Sequence, residues 1–125
     1  MKRLTDGQGV DVVYDGVGRA TFEKNLNVMR QRGMLVLYGM SSGAVPPVDP
    51  AKLSEKGSLY IARTTLAHFT ATREELLART SALFAMIAAG KLQLRIAKKY
   101  PLADAAEAHR DLEGRYLSGK LLLVP

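Results

Sequence analysis

Apolar residues fall along this chain in short blocks, and the spacing within each block predicts an element. Val10, Val12, Val13 and Tyr14 have one acid among them, and MLVLY at 34–38 is apolar throughout. Short runs apolar on both faces are what a parallel sheet covered by helices requires. Between them Phe22, Leu26 and Met29 recur at i, i+4 and i+7, which predicts a helix over 20–32 with one apolar stripe. Glu23 near its start and Arg30 and Arg32 at its end suit the helix dipole, and Gly33 offers a left-handed stop. Strand, helix, strand with short connections is a right-handed crossover unit.

Asp49 as N-cap, Pro50 at the first helical position and Gly57 past the end predict a helix of about two turns. SLYIARTTL at 58–66 reads as a third strand from its β-branched and aromatic content. Thr72 and Glu75 make a T-x-x-E capping box, after which Leu76, Leu77, Thr80, Leu83, Phe84 and Ile87 line one helix face up to Gly90. Leu92, Leu94 and Ile96 alternate with polar neighbours as in a half-buried strand, which Pro101 ends. LADAAEAHRDLEG reads as an amphipathic helix burying Leu102, Ala105, Ala106, His109 and Leu112, and KLLLVP as a last strand. The fold class is α/β: an incomplete doubly wound, Rossmann-type parallel sheet, with three consecutive strands forming half of such a sheet. Its first strand is left with an unpaired edge.

Composition removes several function classes. A chain of 125 residues suits one domain. No run approaches the roughly 18 apolar residues of a membrane span, and MKRLTDG holds no signal-peptide stretch, so a cytoplasmic protein without a membrane partner is expected. The net charge is +6, but Lys2, Arg3, Arg30, Arg32, Lys98, Lys99, Arg110, Arg115 and Lys120 share no stripe. Nucleic-acid binders more often gather basic residues on one face with aromatics between them, so no nucleic-acid partner is expected. With no cysteine and only His68 and His109, no metal site is expected.

The chemistry concentrates at the predicted strand ends, where ligands of open α/β sheets sit. Gly16-Val17-Gly18 follows the first strand but runs into Arg19, without the third glycine of G-x-G-x-x-G. The pyrophosphate-binding half is thus not encoded in these residues. The two glycines suit either a plain tight turn or close approach of a ribose or nicotinamide to the backbone. Gly39, Met40, Ser41 and Ser42 occupy the matching place after the second strand. Amides and hydroxyls there suit a carboxamide, although composition alone reads a polar loop. Arg63 and Arg115, taken alone, are surface cations, and His109 is a core histidine. No Ser-His-Asp or paired-carboxylate set is present, and no catalytic residue is assigned.

VDVVYDGVGRATFEKNLNVMRQRGMLVLYGMSSGAVPPVDPAKLSEKGSLYIARTTL resembles the second half of the NADPH:quinone oxidoreductases, the zinc-free, zeta-crystallin-like branch of the medium-chain dehydrogenase/reductase superfamily. YPLADAAEAHRDLEGRYLSGKLLLVP is similar to the segment that returns to their catalytic domain. The ordered set YDGVG, YGMSSG and YPLADAAEAHR…GK is the specific part. The resemblance implies the C-terminal part of a larger reductase, with 1–90 the second half of its cofactor domain and 91–125 a segment of its catalytic domain. It implies NADPH as the parent's cofactor and a quinone or similar conjugated carbonyl as hydride acceptor. It further implies cofactor contacts at Gly16, Val17, Gly18, Gly39, Met40, Ser41, Arg63, Leu66 and Arg115, and a homodimer through strand 58–66. Lacking the phosphate loop, the isolated chain is expected to bind cofactor weakly and to be inactive. The alternatives are a non-catalytic dimerisation or assembly module, or part of a related enoyl reductase or alcohol dehydrogenase.

Overall fold

The computed structural model describes residues 2–125; Met1 lies outside it. After a 3₁₀ turn at Lys2–Leu4 come β1 (Val10–Asp15), α1 (Phe22–Leu26), β2 (Met29–Leu37), α2 (Pro50–Glu55), β3 (Tyr60–Arg63) and α3 (Leu66–Phe69). Then follow α4 (Arg73–Ala88), β4 (Ile96–Pro101), a 3₁₀ turn at Leu102–Asp104, α5 (Ala105–Gly114) and β5 (Lys120–Val124). The chain forms two compact units that divide between Phe69 and Thr70.

In the first unit β1, β2 and β3 form one sheet in that order, all parallel, as the crossover pattern requires. Val13 pairs with Leu35 and Asp15 with Leu37, while Leu35 faces Ile61 and Leu37 faces Arg63. Phe22 and Leu26 of α1 bury themselves on Met29, Leu35, Leu37 and Leu59, with Val13, Val48, Leu53 and Ile61 packed around. Fully burying a leucine such as Leu26 or Leu35 is worth about 1.5–3 kcal/mol.

The expected helix over 20–32 is corrected: it ends at Leu26, and 29–32 already belong to β2. The Val10 N–H donates to the Val28 carbonyl at 2.9 Å, which draws this segment into the ladder. Between the Val10–Met29 and Val12–Met34 pairs β2 carries a bulge, with Arg32 at φ 58°. Gly33 is therefore a bulge residue, not a helix stop. Met29 is still buried, as its spacing from Phe22 and Leu26 implied.

Burial on both sheet faces is corrected too. Val13, Leu35, Leu37 and Ile61 turn to the side that carries the core. On the opposite side Val12, Met34 and Tyr60 form a paired row across the three strands, and each is exposed. The third strand is shorter than 58–66: it ends at Arg63, and Leu66 opens α3. α2 forms as predicted, with the Asp49 side chain accepting from the Ala51 N–H and Gly57 at φ 109° past the end.

The second unit holds α4, α5 and the parallel pair β4–β5. The Thr72–Glu75 capping box closes in both directions. The apolar face of α4 is nonetheless exposed at Leu76, Leu77, Leu83 and Phe84. Leu92 and Leu94 precede β4 instead of lying in it. On α5 only Ala108 is buried, so the core placement of His109 is corrected: His109 and Leu112 border an open apolar depression with Leu121 and Leu123. No helix among the described residues is long and apolar enough to cross a membrane.

Candidate functional site

The site begins at Asp15, the last residue of β1, which is only 4% exposed. Its Oδ1 accepts the backbone N–H groups of Val17 at 2.6 Å and Gly18 at 3.1 Å. Its Oδ2 accepts the Thr21 hydroxyl at 2.9 Å and the Asn25 amide at 2.7 Å. Burial alone would raise the pKa of this carboxyl, but the bonds from Val17, Gly18, Thr21 and Asn25 outweigh it and hold it below the usual carboxylate range. The turn 16–18 is thus wound around an anion. Gly18 lies at φ 88°, and a Cβ there would come within 2.7 Å of the Gly43 carbonyl oxygen, so only glycine fits.

The second loop is built onto the first. The Asp15 carbonyl accepts the N–H groups of Tyr38 at 3.0 Å and Gly39 at 3.3 Å, and the Gly16 carbonyl accepts that of Ser41 at 3.2 Å. The Val17 carbonyl takes both the Ser42 N–H at 2.8 Å and the Ser42 hydroxyl at 2.7 Å. The Ser42 oxygen in turn accepts from the Ala20 N–H at 3.0 Å. The Ser42 hydroxyl thus helps to hold the two loops together. Arg19 completes the brace, its backbone N–H on the Gly43 carbonyl and its Nε on that of Ala44, each at 3.2 Å.

Arg63 ends β3. Its Nη1 donates to the carbonyls of Leu37 at 2.9 Å and Thr64 at 3.2 Å, which fixes the guanidinium across the ends of two neighbouring strands. It borders a cavity of about 280 Å³ with Leu37, Gly39 and Met40, closed by Ala44, Val45, Pro46 and Val48. This cavity stands at the carboxyl ends of β2 and β3, where α/β sheets take their ligands. Apolar walls and one fixed cation suit a flat ring with a polar edge.

Of the residues expected from sequence, Gly16, Val17, Gly18, Gly39, Met40 and Ser41 come together in the braced loops, and Gly39, Met40 and Arg63 line the cavity. Leu66 lies in α3, is 75% exposed and does not line the cavity. Arg115 belongs to the second unit, where it ends α5 at φ 56°. Sequence reasoning missed Asp15 and the wall residues Val45, Pro46 and Val48. The signal for Asp15 was an acid directly before a G-x-G turn, and for the wall an apolar VPPV in a segment read as a connector.

Across residues 1–123 the chain matches the profile of a family described as zinc-binding dehydrogenase. It is 46% identical to quinone oxidoreductase 1 of Escherichia coli strain K12, over 100% of this chain and 39% of that protein. It is 40% identical to the 2-haloacrylate reductase of a Burkholderia species, over 100% of this chain and 38% of that protein. Among solved structures, Escherichia coli quinone oxidoreductase complexed with NADPH superposes with a TM-score of 0.93 at 46% identity, covering 99% of this chain and 39% of that one. The chain therefore spans well under half the length of these relatives, and its α/β fold matches their C-terminal, Rossmann-like half. The residues present do not fit a zinc ion: there is no cysteine, and among the described residues no three His, Asp or Glu side chains group to hold a metal.

Proposed function

The chain belongs to the zinc-binding dehydrogenase family, and from that premise we propose that it forms the nicotinamide-facing part of an NADPH-dependent reductase acting on quinones or similar conjugated acceptors. The cavity bounded by Arg63, Gly39 and Met40 at the ends of β2 and β3 carries this proposal. The likeness to a quinone oxidoreductase complexed with NADPH supports the cofactor, and the likeness to a haloacrylate reductase supports an acceptor with an activated double bond. NADPH, when bound, supplies the hydride, and the cofactor carries that chemistry.

The chain's own residues orient and exclude. Leu37, Val45, Pro46 and Val48 keep water from one face of the ring site. Gly16, Val17, Gly18 and Gly39 hold the backbone low beside it, with Met40 and Ser41 at its rim. Arg63 meets the polar edge of the ring. No side chain is assigned as acid or base; hydride transfer asks the protein chiefly for position and dryness.

With no G-x-G-x-x-G turn in the sequence, binding by this chain alone is weak, with a Kd on the order of millimolar, and turnover is absent. In a protein of the relatives' length, residues 1–90 complete the cofactor domain and 91–125 join the catalytic domain. A second reading, a dimerising module, has one observation in its favour. β3 is hydrogen-bonded on one side to β2 and ends the sheet on the other, which leaves an edge for the same strand of a second copy. Titration with NADPH, followed by nicotinamide fluorescence and by the amide signals of Gly16, Gly18 and Gly39, tests the first reading. Millimolar shifts confined to these loops uphold it, and their absence supports the module instead. Light scattering on the eluting peak tests the dimer, and a monodisperse monomer removes it.

A further inference from the structure

We propose that Asp15 is the positioning residue of this site: its buried carboxylate orients two successive peptide planes, and these planes carry the loop that lines the cavity. In a trans peptide the N–H and C=O point in opposite directions. The plane between Gly16 and Val17 is held on its N–H edge by Asp15 Oδ1 at 2.6 Å and on its C=O edge by the Ser41 N–H at 3.2 Å. The plane between Val17 and Gly18 is held on its N–H edge by the same Oδ1 at 3.1 Å. Its C=O edge takes the Ser42 N–H at 2.8 Å and the Ser42 hydroxyl at 2.7 Å. The anion thus aims both carbonyls at the second loop, and Gly39 and Met40, which line the cavity, directly precede the two residues these carbonyls hold.

The choice of side chain follows from acceptor capacity. A carboxylate accepts on two oxygens from several directions, whereas a hydroxyl or an amide offers one acceptor atom. The four donors on Asp15, namely Val17, Gly18, Thr21 and Asn25, are all neutral. These bonds keep the carboxylate ionised, and beyond any stability they add they fix the direction of the groups that donate them.

The ligand in this proposal rests on the reductase reading; the loop geometry does not. The experiment uses the whole chain and compares wild type, Asp15→Asn, Asp15→Asn/Asn25→Asp and Thr21→Val. In Asp15→Asn an amide faces the Asn25 amide donor, and moving the carboxylate to position 25 restores donor against acceptor. Without ligand, exchange of the Ser41 and Ser42 amides is expected to quicken about tenfold in Asp15→Asn, the scale of one charge-assisted hydrogen bond. It returns to within about threefold of wild type in the double variant, and Thr21→Val shows a smaller change of the same sign. The β5 amides stay unchanged in all four proteins. With NADPH, the apparent Kd rises about tenfold in Asp15→Asn and recovers in the double variant.

Unchanged Ser41 and Ser42 exchange in Asp15→Asn, or no recovery on adding Asn25→Asp, overturns the proposal. Equal NADPH affinity of wild type and Asp15→Asn overturns it as well. Should Asp15→Asn fail to fold by circular dichroism, the double variant and Thr21→Val decide by the same exchange criteria. A wild-type chain that gives no NADPH response sinks the reductase reading, and the exchange results then decide the role of Asp15 alone.

Discussion

Gly39 rests directly on Gly16: a Cβ built on Gly39 would lie 2.6 Å from the Gly16 carbonyl oxygen and 2.9 Å from its Cα. Backbone cannot yield as a flexible side chain can, so Gly39→Ala must push the two loops apart. Overpacking of this kind costs about 2 kcal/mol. Urea denaturation followed by signals of the first unit is expected to show that loss together with weaker NADPH shifts. Gly90→Ala is the control, since at φ 67° with no atom within 4 Å it meets only backbone strain. It should leave the first unit's signals in place. Equal stability of Gly39→Ala and wild type would remove the close approach.

Asp15 makes the first unit sensitive to acid in a definite direction. Its folded-state pKa lies below the ordinary 3.8, because hydrogen bonds from Val17, Gly18, Thr21 and Asn25 overcome the effect of burial. Unfolding therefore takes up a proton at low pH. The stabilisation is fully present above the unfolded value and is lost as pH falls from there through the folded one. Urea midpoints of wild type measured from about pH 6 to about pH 2 should fall with acid. The difference between wild type and Asp15→Asn should shrink over the lower part of that range. A constant difference across the range would contradict the assignment.

The strands and caps were legible from sequence because they rest on local chemistry. Asp49 before Pro50, and Thr72 three residues before Glu75, need only their own neighbours, and both caps form as spaced. The helix over 20–32 was misread for an instructive reason. Phe22, Leu26 and Met29 do share one core, but Met29 reaches it from a strand, because the Val10 N–H claims the Val28 carbonyl. Spacing reports which side chains are buried, not which backbone carries them. The apolar faces of the sheet and of α4 misled in the same way: pattern shows that a face can be buried, while covering it takes a partner. Asp15 escaped notice because its four donors, from Val17 to Asn25, converge only once β1, the turn and α1 have folded.

In the second unit Tyr100, 3% exposed, donates its hydroxyl to Asp111 Oδ2 at 2.5 Å, tying β4 to α5. Lys98 joins from the side, 3.1 Å from Asp111 and 2.8 Å from Glu107, with its ammonium 4.4 Å from the centre of the Tyr100 ring. Burial and the Asp111 carboxylate raise the Tyr100 pKa above its ordinary 10.0. Alkaline titration of the tyrosinate band should therefore contain a late phase that Tyr100→Phe abolishes. Tyr100→Phe should also lower the second unit's melting midpoint more than Lys98→Met does, because exposed ion pairs contribute little. A late phase that survives in Tyr100→Phe would assign it to another tyrosine.

The long helix α4 gives the sharpest test of local chemistry, because none of its side chains is buried in this chain. What holds its first turn is the capping box: the Thr72 hydroxyl accepts the Glu75 N–H at 3.2 Å, and Glu75 Oε2 accepts the Thr72 N–H at 3.3 Å. Removing such a cap costs about 1 kcal/mol, and a helix with no buried side chain has little packing to offset the loss. Thr72→Ala is expected to speed amide exchange at Arg73–Glu75 and lower helical ellipticity, whereas Thr72→Ser retains both because its hydroxyl occupies the same place. Exchange in Thr72→Ala that matches wild type would mean that tertiary contacts, and not the cap, set where this helix begins.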